Sequence, residues 1–294
     1  MLQSIVQVHH GRKRFRSAGV ATAVAVVAAG MLVTLASGAA AAPRPVPLGT
    51  ADSFAVLAGA GITDTGTTVV TGNLGTYPTT TMTGTNLLVI HGTNHVGDAV
   101  TQGAKTDLVA AYNTAAGKGP TIPITADLGG QTLVPGVYNS GSSIGLTGTL
   151  TLDAGGNPNA TFIFQAGSTL TTASASNVKL INRAQACNVY WQIGSSATLG
   201  TGSHLRGTVL AMQSITLTTG ATVDGRLLAR TGAVTLDTNT IIKATCAASH
   251  KHKHKGGTGG KGGKGGKAGN GDKGHGGGSS GTAHPPKRPV GLTG

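Results

Sequence analysis

The chain has 294 residues and a formal net charge of +13, but most of that charge lies near its two ends. Four basic residues fall within 12–16, and nine Lys or Arg against one Asp fall within 251–294; the segment 43–249 keeps nine basic and eight acidic residues. A near-neutral body argues against nucleic-acid binding. Its composition, rich in Thr, Gly, Ala, Leu and Val and without Glu, favours strands and tight turns over long helices.

Residues 1–42 have the pattern of a secretory signal peptide. A basic stretch precedes an apolar run over 18–36, and small residues follow at 37–42. This order is typical of a cleavable export signal. A retained membrane anchor is the alternative, since the run approaches the shortest length that spans a bilayer. We therefore expect a protein that is secreted and either extracellular or associated with the cell surface.

The segment 43–249 is long enough to bury a core and predicts one domain. One stretch of it, 95–117, has apolar residues at helical spacing. Asp98 lies in a plausible first turn, and Gly117 with Gly119-Pro120 makes a stop signal. We predict a single helix near 95–116 that covers one face of an otherwise β-rich domain.

The later part of this segment contains an internal repeat. The tetrad Thr-Leu-x-Thr occurs at 169–172, 198–201, 216–219 and 235–238, with spacings of 29, 18 and 19 residues. Apolar segments precede the last three tetrads, and a further apolar residue follows each one. Three short strand-like pieces per period predict the coils of a three-sided parallel β-solenoid, which must stack to bury their inward side chains. A β-sandwich has similar turn spacing and stays open as an alternative.

The two cysteines, Cys187 and Cys246, are an even count in a chain expected to be exported. This favours a disulfide. A bond across nearly sixty residues would stabilise the fold by about 4 kcal/mol in the chain-entropy model. Two separate buried thiols are the alternative. The chain has no C-x-x-C motif that would suggest a redox or zinc site.

Residues 250–294 predict a disordered tail rich in Gly, Lys and His, because they offer almost no apolar side chains to bury. Three roles are open for it. Alternating His and Lys at 250–255 could bind Zn²⁺, Cu²⁺ or Ni²⁺ weakly. The positive charge could contact anionic cell-wall polymers, or the tail could be a solubilising spacer.

Five segments resemble the microbial ice-binding-like (DUF3494-type) family and keep its order. They are 48–58, 71–75, 133–138, 157–165 and 225–229. This resemblance implies an all-β fold with one long helix. The expected architecture is a discontinuous right-handed parallel β-solenoid flanked by the α-helix, in which N-terminal strands complete a stack built mostly by the C-terminal half. The sequence departs from the family at Asn73, where many members have Asp; we expect this to alter a turn.

The resemblance also implies a function. Characterised members bind ice through a flat face that carries Thr, Ser, Ala and Asn, often in the pattern T-(A/G)-x-(T/N). The pattern occurs at 65–68, 83–86 and 219–222, and 201–204 departs from it only at its last position. Thr offers a methyl group, a hydroxyl that both donates and accepts, and a restricted χ1. Thr is also an ordinary solvent-facing strand residue, which is the alternative. The candidate ice-binding residues are Thr65, Thr68, Thr83, Asn86, Thr201, Thr219, Thr222 and Thr238.

No arrangement of residues predicts catalysis. The eight Asp between 43 and 249 are scattered, and Asp224 and Asp237 with Arg226 and Arg230 form the one grouping that stands out. A surface salt bridge explains that grouping. We expect no enzyme activity, cofactor or metal, and a monomer that does not bind nucleic acid. The expected partner is an ice crystal, with a polysaccharide or another repetitive extracellular surface as the alternative. Trp191, the single Trp, lies in an apolar segment and predicts a core position rather than a sugar-stacking one.

Overall fold

A computed structural model describes residues 42–247. Within this range the chain forms short parallel strands, one α-helix and two short 3₁₀ segments, Gly49–Ser53 and Ala186–Asn188. The helix α1 spans Ala99–Ala116. The strands are β1 (Phe54–Ala58), β2 (Ile62–Asp64), β3 (Thr68–Thr71), β4 (Asn73–Thr76), β5 (Met82–Thr83), β6 (Leu88–His91), β7 (Asn94–Val96), β8 (Ile122–Pro123), β9 (Thr132–Leu133), β10 (Gly136–Ser140), β11 (Ile144–Leu146), β12 (Thr149–Asp153), β13 (Phe162–Ala166), β14 (Leu170–Thr172), β15 (Asn177–Ile181), β16 (Val189–Ile193), β17 (Ala197–Leu199), β18 (His204–Ala211), β19 (Ile215–Leu217), β20 (Thr222–Ala229), β21 (Val234–Leu236) and β22 (Thr240–Ile242).

The strands stack into the three sides of a solenoid. The helix side has the order β8-β10-β13-β16-β18-β20-β1-β4-β7, and the Thr side has the order β11-β14-β17-β19-β21-β2-β5. The third side has the order β9-β12-β15-β18-β20-β22-β3-β6. Strands β18 and β20 each run from the third side onto the helix side. They bend at Gly207 and Gly225, where a side chain on Gly225 would strike the Gly207 carbonyl.

The stack is discontinuous in sequence, as the family resemblance implied. Strand β1 pairs with β20 below it and β4 above it, and β2 lies in the same way between β21 and β5. Strand β3 pairs with β22. The N-terminal strands within 54–96 therefore form the last coils of a solenoid that residues 122–242 begin.

Inward side chains from all three sides fill the solenoid. Trp191 is fully buried, lies 4.2 Å from the Phe164 ring and donates its indole N–H to the Arg206 carbonyl. Tyr138 occupies the same position in the preceding coil, and its ring centroid lies 5.4 Å from that of Phe164. The core position predicted for Trp191 is confirmed. Such aromatic rings bury large apolar areas, which drives the coils to stack.

The predicted helix is confirmed, and it begins four residues later than the predicted 95, because 94–96 form the last strand. Asp98 is its N-cap and accepts from the Thr101 N–H at 2.8 Å. The apolar stripe of α1 packs on the helix side. At the other end, the buried Gln165 amide donates to the carbonyls of Ala115, Ala116 and Lys118. At 1.5 Å per residue the helix is about 27 Å long, which matches the height of about six coils.

A disulfide joins Cys187 to Cys246, as predicted, with the two Cα atoms 5.4 Å apart. It ties the end of the described chain to the second 3₁₀ segment. The predicted signal peptide and the predicted tail lie outside the described residues. Between residues 42 and 247, no helix has the length and apolar character needed to cross a membrane.

Candidate functional site

The Thr side presents a row of threonines. Each of its strands has three residues or fewer, and the residue between two inward neighbours points outward because side chains alternate along a strand. The strand pairing brings these outward residues into register from coil to coil. In stacking order the central row is Thr171, Thr198, Thr216, Thr235, Thr63 and Thr83. The equivalent position in β11, next to Thr171 in the stack, is Gly145, so the row of threonines starts at Thr171.

Two further rows of small residues flank the central row. Backbone hydrogen bonds continue the stacking register beyond both ends of the strands. The row before the strands contains Ser143, Thr169, Ser196, Ser214, Ala233, Gly61 and Thr81; the row after them contains Thr147, Ala173, Gly200, Thr218, Asp237 and Thr65. We call these three rows the Thr face. At about 4.8 Å per coil, its central row extends over about 24 Å. Its one charged residue is Asp237, at the edge.

Four of the six hydroxyls in the central row are available to a ligand. Those of Thr171, Thr198, Thr216 and Thr235 are absent from every hydrogen bond among residues 42–247, whereas Thr83 donates to Thr63 at 3.1 Å. A free hydroxyl on a rigid strand can donate to and accept from ordered water. From Thr171 to Thr235, the central row thus presents methyl groups and free hydroxyls at a regular spacing.

The predicted residues Thr65, Thr201 and Thr219 lie at the edge of the Thr face, where the chain turns towards the third side. Their hydroxyls are already used. Thr201 donates to Thr218 Oγ1 at 3.2 Å, Thr219 donates to the Asp237 carboxylate, and Thr65 contacts the Leu236 carbonyl at 3.3 Å. Of the eight predicted residues, Thr83 alone belongs to the central row.

The alignment predicted for Thr238 with Thr201 and Thr219 is wrong. The pairing of His204 with Thr222 and of Thr222 with Thr240 sets a repeat of 18 residues here, so Thr238 falls one place beyond Thr219. It occupies the position of Gly220 and, like that glycine, has a positive φ, 55° against 71°.

Three other predicted residues lie off the Thr face. Thr68 is buried; its hydroxyl donates to Asp64 at 2.7 Å and accepts from the Asn239 N–H, so it cannot reach a crystal surface. Thr222 begins β20 on the third side. Asn86 is exposed in the turn between β5 and β6.

The T-(A/G)-x-(T/N) pattern therefore marks the turns that follow the Thr-side strands. Gly84, Gly202 and Gly220 all have positive φ values, between 64° and 74°, which only glycine adopts at low cost. The missed residues are the first Thr of the repeats at 198, 216 and 235, together with Thr63 and Thr171. In the first tetrad, Thr171 and not Thr169 is in register with Thr198. A Thr between two apolar strand residues is a local signal that identifies Thr198, Thr216 and Thr235. Thr63 and Thr171 each have a polar residue on one side, Asp64 and Thr172, so this signal does not identify them.

The third side has a different chemistry. Its outward positions include Lys179, Arg206, Asp224 and His204. Partial burial, and then the nearby Arg206 charge, lower the pKa of His204. A surface of mixed charge and unequal side-chain length is neither flat nor regular.

The charged grouping seen in the sequence is not assembled. Arg226 pairs with Asp52 at 2.6 Å, on the helix side, whereas Asp237 bonds Thr219 on the Thr face. Arg230 lies over the Tyr112 ring at 4.7 Å. Among residues 42–247, no three His, Cys, Asp or Glu side chains come together as metal ligands would.

One known protein family matches the solenoid domain in sequence. The sequence profile of the family described as Ice-binding-like matches residues 56–242. The chain belongs to this ice-binding-like family. An ice-binding protein of Nostoc sp. (strain HG1) is 48% identical over 199 residues, which cover 67% of this chain and 74% of that protein. An ice-binding protein of Colwellia sp is 38% identical over 221 residues, covering 69% and 85%.

Solved structures of the ice-binding-like fold superpose on the described solenoid. An ice binding protein from an Antarctic biological consortium matches with a TM-score of 0.69 at 44% identity, over 70% of this chain and 94% of that one. The ice-binding protein of the Antarctic ascomycete Antarctomyces psychrotrophicus matches with a TM-score of 0.66 at 41% identity, over 70% and 100%. At these identities the two structures resemble this chain in sequence as well as in fold.

Proposed function

We propose that this ice-binding-like protein is secreted and binds ice through its Thr face, slowing crystal growth and recrystallisation. The observation that carries the proposal is the central row of six threonines in register, four of which have hydroxyls that are free of any protein partner among residues 42–247. The relatives named as ice-binding proteins support the same function.

A periodic rigid surface suits a crystalline ligand. The backbone hydrogen bonds of the stacked coils hold each central Thr in place, and its branched Cβ restricts χ1. Little side-chain entropy remains to be lost when the face meets ice, which favours binding. Methyl groups next to free hydroxyls can hold water molecules in a regular layer that joins the crystal.

The composition of the Thr face favours ice over polysaccharide. Sugar-binding surfaces usually present aromatic rings for stacking, and the rows of the Thr face contain none. Trp191 is buried in the solenoid and unavailable for such a contact. A matrix or adhesion module remains the competing function, and the absence of ice activity in the unaltered protein would favour it.

The test is a comparison of two Thr→Tyr variants by thermal hysteresis and ice recrystallisation assays. Thr216→Tyr places a bulky ring in the middle of the central row, which should lift several neighbouring positions away from the crystal. Thr240→Tyr is the matched control, because Thr240 is an exposed outward residue of a third-side strand on the neighbouring coil.

We expect Thr216→Tyr to lose most of the activity and Thr240→Tyr to keep it. Both should unfold within about 0.5 kcal/mol of the unaltered protein, since each is an outward residue. Equal activity in the two variants would contradict the assignment of the Thr face. A loss confined to Thr240→Tyr would move the site to the third side.

For the tail we propose contact with anionic polymers such as those of a cell wall. The support is its charge, nine Lys or Arg against one Asp within 251–294. Removing residues 250–294 should abolish retention on an anionic resin at low salt and leave ice activity unchanged. Retention of the unaltered protein should fall as salt rises, because salt screens such contacts; retention that is insensitive to salt would contradict a charge-based contact.

A further inference from the structure

A cavity of about 540 Å³ lies at the corner between the helix side and the third side. The N-terminal segment 45–49 forms one wall, and the segment 244–246 with the disulfide forms another. The polar side chains that line it are those of Tyr190 on β16, Arg226 on β20, Asp52 and Asn188. The volume is within the range of small-molecule sites in proteins, about 300–1,000 Å³.

Arg226 makes this cavity unusual because its side chain is almost completely buried. It is 3% exposed, and its one carboxylate partner, Asp52, has a side chain that is 63% exposed. Burial lowers the pKa of Arg226, and the neighbouring Asp52 charge offsets this in part. Nη1 of Arg226 has no protein acceptor within 42–247, yet it is not one of the fully buried unpaired atoms, so solvent reaches it.

The pairing with Asp52 uses one edge of the guanidinium. The Nε–H donates to the Asp52 carbonyl at 3.0 Å, and NH2 donates to the Asp52 carboxylate at 2.6 Å. The other edge, formed by NH1 and the second N–H of NH2, donates to no residue within 42–247. That edge has the geometry that a carboxylate fills with two parallel hydrogen bonds.

We propose that this cavity is a binding site for a small carboxylate with a compact apolar body. The free edge of Arg226 would bind the carboxylate, and Tyr190 lines the same cavity. The apolar walls, chiefly Pro45, Val46, Ala244 and the disulfide, would enclose the rest of the ligand. Asp52 binds the adjacent edge, formed by Nε and Nη2, and leaves Nη1 and the second N–H of Nη2 open to the ligand.

Such a ligand would contact both terminal segments of the described chain at once. Binding would therefore hold the segment 45–49 against the segment 244–246, and we expect it to raise the midpoint of thermal unfolding. The site does not depend on the Thr face, because Arg226 projects on the helix side.

The test uses benzoate as the probe, with isothermal titration calorimetry of the unaltered protein and three variants. Arg226→Lys keeps the charge and removes the planar edge, and Thr245→Trp fills the mouth of the cavity from an exposed position. We expect each to weaken benzoate binding at least tenfold. Thr216→Tyr, on the Thr face, should leave it unchanged, and neutral benzyl alcohol should bind at least tenfold more weakly than benzoate.

Three results would overturn the proposal. One is no benzoate binding by the unaltered protein at low salt; another is binding that Thr245→Trp leaves intact. The third is equal binding of benzoate and benzyl alcohol, which would remove the role of Arg226. If Arg226→Lys fails to fold, Thr245→Trp and the neutral analogue still decide the question.

Discussion

The Thr face and the third side are built by the same coils, yet the chemistry of their outward side chains differs. Both consist of stacked parallel strands with apolar residues pointing inward, such as Leu199 on the Thr side and Leu205 on the third side. Outward, the Thr side repeats Thr from coil to coil, whereas the third side places Lys179, Arg206 and Asp224 in successive strands. The inward positions thus determine that the chain forms a solenoid, and the outward positions determine which side can meet a regular surface.

The largest expected effect tests whether the two sides share one core. Leu199→Ala and Leu205→Ala each remove a buried side chain, and each should lower the free energy of unfolding by about 2–5 kcal/mol. Urea unfolding followed by circular dichroism would measure this. A large cost for one substitution and almost none for the other would show that one side contributes little to the shared core.

A swap of outward residues between the sides should affect function without affecting the fold. Thr198→Lys gives the Thr face a charge typical of the third side, and a hydrated ammonium in the central row should reduce thermal hysteresis at least tenfold. Its stability should change by about 0.5 kcal/mol or less. Lys179→Thr is the reciprocal control on the third side and should leave ice activity as it was. Undiminished activity in Thr198→Lys would count against the central row.

The smallest expected effect is a pH dependence of stability that ice activity does not share. Lys105 of α1 is buried against the helix side, donating to the carbonyls of Ala229 and Arg230, and burial lowers its pKa to about 8 from 10.5. The unfolded chain keeps this proton up to higher pH than the folded chain, so the free energy of unfolding should rise as pH passes through 8 towards 9.5. Lys105→Met should remove that rise.

Ice activity should stay constant over the same interval, because the central row contains no titrating group. Chemical unfolding and thermal hysteresis at pH 7.5, 8.5 and 9.5 would test both statements. This window also stays below the titration of Tyr138 and Tyr190, whose pKa values burial raises. A parallel rise of activity and stability in the unaltered protein would contradict the separation.

Local patterns in the sequence predicted much of the fold. The 3.6-residue spacing near Leu108 predicted the helix, and the even cysteine count predicted the bond between Cys187 and Cys246. The Thr-Leu-x-Thr spacing predicted the coil. Each of these signals depends on residues that are close in sequence or on a simple pairing rule, so a single chain was enough.

The central row of the Thr face was harder to predict, because the repeated tetrad begins in a strand and ends in the turn that follows it. In the tetrad 198–201, the first Thr points outward from a strand, and the last Thr lies in the turn that follows. The prediction chose the last one. Pairing between distant segments, such as Thr63 with Thr235 or Asp52 with Arg226, left no local pattern at all. Their register follows from how the N-terminal coil packs on the C-terminal one, which sequence spacing does not encode.

The insertion of β1 and β2 beside β20 and β21 has a consequence for biosynthesis. A growing chain emerges from its N-terminus, so the segment that contains Thr63 exists long before the strands on which it must stack. The edges of β1 and β2 that pair with β20 and β21 stay unpaired until those later strands are made. Unpaired strand edges and long-range pairing slow folding and expose the chain to mispairing. The segment made first is thus the one placed last, and only a chain synthesised through β21 and β22 can display the whole row from Thr171 to Thr83.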